Sequence, residues 1–181
     1  SAVSTDRTIT PVSATPFTRI ETPMSNDYTL TTFAFAATHA EASIIREALR
    51  AIDILHGPEK DDLTADWERM APEFRCAFAN PKDGVSKNFD TFLSIFVDPC
   101  WPTFGTEFSF TENPEGSITV TGDSEQFAFE PTAKLFESAI NTSFPIVITW
   151  AETCSKAIPG AFGGGSFRIT KHGTTWLHTH D

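Results

Sequence analysis

The sequence predicts an α+β fold, a two-layer sandwich in which helices pack on one face of an antiparallel sheet. Three observations lead there. Apolar and polar residues alternate in several short runs separated by turn residues, the pattern of strands with one dry face. Two longer segments, residues 38–57 and 131–140, repeat their apolar positions at helical spacing. The order is βα first and ββαβββ later, so strands follow one another through short links while the helices gather on one side.

The first element is the run DYTLTTFAFAA, whose Thr, Tyr and Phe content and alternation over residues 28–37 predict a strand. Thr38-His39-Ala40-Glu41 then reads as a capping box, with Thr38 capping the helix and Glu41 reaching back. Ile44, Ile45, Ala48, Leu49, Ile52 and Leu55 follow on one face, and Gly57 closes the helix. Residues 64–70 predict a short helix stopped by Pro72. Phe89, Phe92, Leu93 and Phe96 have helical spacing, which predicts a helix up to Val97 before Pro99 and Pro102 break the chain. Residues 106–123 hold two alternating runs around Asn113-Pro114-Glu115-Gly116, a hairpin with its turn residues in place. Pro131 opens a helix that carries Leu135, Phe136, Ala139 and Ile140 on one face. FPIVITWAE predicts a buried strand, and SFRIT and TTWLHT flank Lys171-His172-Gly173 as a second hairpin.

Length and composition bound the rest. With 181 residues, 40% hydrophobic and 20% charged, the chain has the composition of a globular protein with a full core. Residues 27–181 are read as one domain. Residues 1–26, rich in Ser, Thr and Pro without periodicity, are read as an extended arm that Phe17 and Ile20 could pin to the body. Seventeen Phe against one Tyr predict a dry aromatic core, because Phe has no hydroxyl to satisfy. Ser1 in place of an initiating Met is what a processed product would show.

The charge bears on partners, although acidity of this size also serves simply to keep a protein soluble. Thirteen Lys and Arg against 24 Asp and Glu give a net charge of −11. Such a surface repels nucleic acid, which is held by cations that release its counterions, and it repels anionic membrane. No apolar run approaches 18 residues, so no membrane span is expected. Cys76, Cys100 and Cys154 form no C-x-x-C pair, which fits a reducing cytoplasm and argues against a zinc ribbon.

Several clusters could carry chemistry. GPEKDDLTADWE concentrates Glu59, Asp61, Asp62, Asp66 and Glu68 without the glycine and closing glutamate of a calcium loop. It is read as a solvated face or as an acidic patch for a basic partner, the latter with Asp83, Glu112, Glu115, Asp123 and Glu125 in support. Gly163, Gly164 and Gly165 precede strand residues with no lysine where a phosphate loop needs one. They are read as a bend or a bare backbone on which a partner docks. Cys154 near Lys156, with His172 as base, would make a nucleophile, but no Asp or Asn is spaced to orient that histidine. His178 and His180, two residues apart, could chelate a metal with Asp181 adding an oxygen.

The C-terminal stretch TWAETCSKAIPGAFGGGSFRITKHGTTWLHT resembles a family of uncharacterised proteins carried by bacterial phages and plasmids. The shared pattern is T-C-S-K, then P-G-x-F-G-G-G, an alternating strand, a turn with glycine, and W-x-x-T. The matching positions are Thr153, Cys154, Ser155, Lys156, Gly160, Phe162, Gly163, Gly164, Gly165, Gly173, Trp176 and Thr179. The resemblance covers roughly the last 75 residues and implies a mobile genetic element and a bacterial cytoplasm. It supplies no catalytic residues. The function expected from charge, the lack of a catalytic set and this resemblance is a non-enzymatic interaction protein without cofactor. It would act as an anti-defence inhibitor of the anti-CRISPR kind, competing with nucleic acid for a basic host protein. The alternative is a small metal-binding protein or Cys/His enzyme centred on Cys154, His172, His178 and His180. A homodimer through the glycine hairpin is a third expectation.

Overall fold

The structure, a computed structural model, describes residues 26–80, 88–156 and 162–179. Six strands form one antiparallel sheet in the order β2-β3-β1-β4-β5-β6, and five helices accompany it, so the fold is α+β as predicted. The strands are β1 (Asp27–Ala37), β2 (Glu107–Glu112), β3 (Ile118–Ser124), β4 (Ile146–Cys154), β5 (Gly163–Thr170) and β6 (Gly173–His178). The helices are α1 (His39–Leu55), α2 (Thr64–Glu68), α3 (Pro72–Ala77), α4 (Asp90–Leu93) and α5 (Phe129–Ala139). No helix among the described residues is long and apolar enough to cross a membrane. The arm expected over residues 1–26 lies outside the described residues except for Asn26. The backbone N–H of Asn26 donates to Ser155 Oγ, and its carbonyl accepts from the Ser155 N–H.

Alternation along each strand decides which face is dry. In β1, Thr31, Phe33 and Ala37 are buried while Thr32, Ala34 and Ala36 are exposed. In β4, Ile146, Ile148 and Trp150 are buried while Val147, Thr149 and Ala151 are exposed. The helices cover the first set: α1 brings Ala42, Ile45, Ala48 and Ala51, and α5 brings Leu135, Phe136 and Ala139. The other face of the sheet mixes Thr, Ser and Ala with exposed Leu30, Val147 and Leu177 and the charged Asp123 and Arg168.

The middle of the chain differs from its sequence reading. Pro72 does not merely stop a helix; it opens α3 at the first helical position, where its missing N–H is not needed. The helix expected up to Val97 is a single turn. Leu93 and Ser94 donate to carbonyls four residues back, whereas Ile95 and Phe96 donate only three back, so the coil tightens and ends. Packing of rings, not helical repeat, explains the Phe spacing. Trp67, Phe74, Phe78, Phe92, Phe96, Phe104, Phe108, Phe33 and Phe136 follow one another with successive ring centroids 4.9–6.1 Å apart. This seam ties the helical middle to the sheet, and ten of the 17 Phe are buried.

One charged side chain sits inside. Glu41 is 2% exposed. The capping box is present as predicted: Thr38 Oγ1 accepts from the Glu41 N–H, and the Thr38 N–H donates to Glu41 Oε2. The same carboxylate also accepts from the backbone N–H groups of Asn141, Thr142 and Ser143 and from the hydroxyls of Thr142 and Ser143. Burial works against its charge, but the bonds from Ser143, Thr38, Thr142 and Asn141 outweigh burial and lower its pKa from 4.5 to about 2.

The three glycines belong to β5 rather than preceding it. Gly163, Gly164 and Gly165 pair with Glu152, Ala151 and Trp150. A Cβ on Gly165 would lie 2.4 Å from Trp150 Cζ2 and 2.6 Å from the Leu177 carbonyl oxygen. One on Gly164, where φ is +153°, would lie 2.3 Å from the Trp150 carbonyl oxygen. Gly165 thus leaves room for the Trp150 indole, and Gly164 for the Trp150 backbone.

Two predictions follow from these contacts. Glu41→Gln places an amide N–H₂ against donors and should cost about 2 kcal/mol at pH 7 in urea unfolding. The folded carboxyl has the lower pKa, so its contribution is complete above about pH 5 and fades as pH falls toward 2. The gap between wild type and variant should therefore shrink at pH 3; an equal gap at both pH values contradicts the account. Gly165→Ala should cost about 2–3 kcal/mol, read as a fall of about 5–10 °C in Tm. An unshifted Tm would show that the indole is free to move aside.

Candidate interaction site

The structure does not bring Cys154 and His172 together. Glu152 pairs with Gly163 at one end of β5, and Cys154 lies just beyond that end, opposite Asp27. His172 lies in the turn after Thr170, at the other end of β5. Seven strand steps separate Gly163 from Thr170, about 23 Å at 3.3 Å per residue, so His172 cannot take a proton from the Cys154 thiol. The thiol of Cys154 is half-buried and forms no disulfide.

The metal alternative retains one described residue. The His178 ring packs 5.3 Å from the Trp150 ring, 5.9 Å from Phe129 and 6.0 Å from Trp176, as part of an aromatic cluster. His180 and Asp181 lie outside the described residues. No group of three or more His, Cys, Asp or Glu among the described residues is arranged to hold a metal ion.

The acidic patch is divided by its own bonds. Asp66 is neutralised by Lys60 at 2.7 Å and Arg69 at 3.8 Å. Asp62 accepts from the Thr64 N–H at the start of α2, and the Thr64 side-chain and backbone bonds lower its pKa. Glu59, Asp61 and Glu68 stand exposed. The supporting residues are dispersed: Glu112 ends β2, Glu115 sits in the β2–β3 turn, and Asp123 accepts from Thr32 Oγ1 on the open face of the sheet. Asp123 and Glu125 do meet Glu107 along a polar cleft. Asp83 lies outside the described residues.

An apolar cavity, which the sequence reading missed, lies between the 96–103 loop and the start of α5. Its volume is about 310 Å³, and Phe96, Val97, Asp98, Trp101, Thr103, Ala128, Phe129, Glu130 and Pro131 line it. Val97 and Trp101 are 82% and 66% exposed, although both are large and apolar. Asp98 accepts from the Cys100 N–H through Oδ1, and its carbonyl accepts from the Trp101 N–H, so the loop is held in shape between Pro99 and Pro102. On its far side Phe129 stacks on Trp150 at 4.4 Å and 5°, which fixes that wall to the sheet. Trp101 stacks on the His56 ring at 4.5 Å and 22°. His56 caps α1, and Glu59 follows three residues later, so the acidic segment starts within about 11 Å of chain from the cavity wall. The signal in the sequence is a Trp set between two prolines in DPCWP, a pattern that by itself marks only a chain break. No protein-family model matches this chain, and no curated protein or solved structure matches it either.

Proposed function

We propose that the protein is a non-enzymatic binding protein that presents carboxylates to a basic partner and competes with nucleic acid for it. In the setting that the C-terminal resemblance suggests, a bacterial cytoplasm carrying a mobile element, it would serve as an anti-defence inhibitor. The observation that carries this reading is the charge and where it lies. The 24 acidic residues outnumber the basic ones by 11, and Glu41 alone among the described acidic residues is buried. The ion pairs Arg50–Glu47, Lys60–Asp66 and Arg69–Asp66 occupy just two carboxylates between them. Most of the surplus therefore faces water, where it steers a basic surface into encounter and repels nucleic acid. The separation of Cys154 from His172 along β5 supports the non-enzymatic side.

Charge reversal tests this. Tagged protein expressed in a bacterial host should retain a basic, nucleic-acid-binding partner at about 50 mM salt and lose it at about 500 mM, because exposed charges are screened. Adding the purified protein should displace labelled nucleic acid from that partner. The variant Glu59→Lys, Asp61→Lys, Glu68→Lys should bind at least tenfold more weakly and displace nothing. Unchanged affinity in that variant rules out the acidic segment as the contact.

A further inference from the structure

We propose that the cavity beside Trp101 seats an apolar side chain of a partner segment that also carries lysine or arginine, with Asp98 and Glu130 holding the cation. This deepens the reading of an acidic binding protein and rests on it for the partner's charge. The cavity walls are apolar, and among the described residues the charged ones that line it are Asp98 and Glu130, both carboxylates. An apolar body with a cationic neighbour therefore fits, whereas an acidic apolar segment meets two like charges. Trp101 and Val97 are largely open to water, so a partner that covers them removes apolar surface at a cost the free protein already bears. Buried Trp anchors dominate many protein interfaces, and a loop already fixed by Asp98 and two prolines loses little freedom when it binds. Stacking on His56 sets this anchor beside the acidic segment that starts at Glu59.

Three synthetic peptides and the ¹⁵N-labelled protein provide the test. Lys-Leu-Phe-Arg-Lys should shift the backbone signals of Val97, Trp101, Ala128 and Phe129, and the Trp101 indole N–H, in a saturable way. Lys-Ser-Ser-Arg-Lys should move signals of residues 59–68 only, and Glu-Leu-Phe-Glu-Glu should leave the cavity silent. Trp101→Ala and Val97→Arg change exposed side chains, so each should keep the wild-type Tm and weaken the first peptide at least tenfold. A cavity that stays silent with the first peptide, responds equally to the third, or keeps full affinity in both variants overturns the proposal. If the cavity stays silent while the charge-only peptide still moves residues 59–68, this inference falls and the acidic-surface reading stands. If the cavity responds and the Glu59, Asp61, Glu68 reversal leaves affinity unchanged, the acidic segment is excluded and the cavity is kept.

Discussion

The Glu41 carboxylate is the constraint on which the arrangement of sheet and helices turns. An ionised side chain with 2% exposure and no ion pair among the described residues would ordinarily be too costly to bury. Here N–H and O–H donors from Thr38 and from Asn141–Ser143 take the place of a counter-ion, and charge-assisted bonds of this kind are the strong ones. The bonds join positions 100 residues apart in the chain. They fix the N-terminus of α1, directly after β1, to the loop that leads from α5 into β4. That loop sets where β4 begins and helps hold β4 beside β1 at the centre of the sheet. A neutral amide at this position would keep the shape but oppose donor to donor.

A second layer of order comes from aromatic rings, and it carries the site. The seam from Trp67 to Phe136 lets three short helices, none stable alone, act as one wall of the core. A branch of it runs from Phe127 to Trp150 and Phe129. The Trp150 indole can lie flat there because Gly165 carries no side chain against it, while Gly164 leaves room for the Trp150 carbonyl. Phe129 is thus held by the sheet on one side and offers its other side to the cavity. The glycines of β5 and the walls of the cavity belong to one packing arrangement, though more than thirty residues separate them in sequence.

What was legible in the sequence is what local physics decides. Alternating runs and one continuous apolar run located five of the six strands closely, turn residues marked both hairpins, and Thr38 with Glu41 announced α1 through a bond pattern three residues long. Glycine was read as a lead-in to β5 because its meaning depends on Trp150, which a strand neighbour supplies. Glu41 was legible as a cap and invisible as a clamp, since its other partners sit at 141–143. The middle segment misled because Phe at helical spacing also satisfies a ring seam, and the hydrogen bonds of Ile95 and Phe96 show that packing prevailed over helix. Trp101 stayed hidden because its importance lies in being exposed, and exposure is not written in a residue's type.

The two features at the end of α1 are complementary in physical terms. Exposed carboxylates act over roughly a Debye length, about 10 Å at 0.1 M salt, and chiefly raise the rate of encounter. Surface charge pairs then hold weakly, typically by less than about 1 kcal/mol each. An apolar cavity does the opposite: it exerts nothing at a distance, but water expelled from it must return before the partner can leave. A surface built from Glu59, Asp61 and Glu68 alone would meet many basic proteins and keep none for long. The Trp101 cavity alone would hold a fitting side chain but have no means of attracting it. Their junction at His56 places steering and retention within one contact area, and selecting one partner among many, as the proposed function requires, needs both.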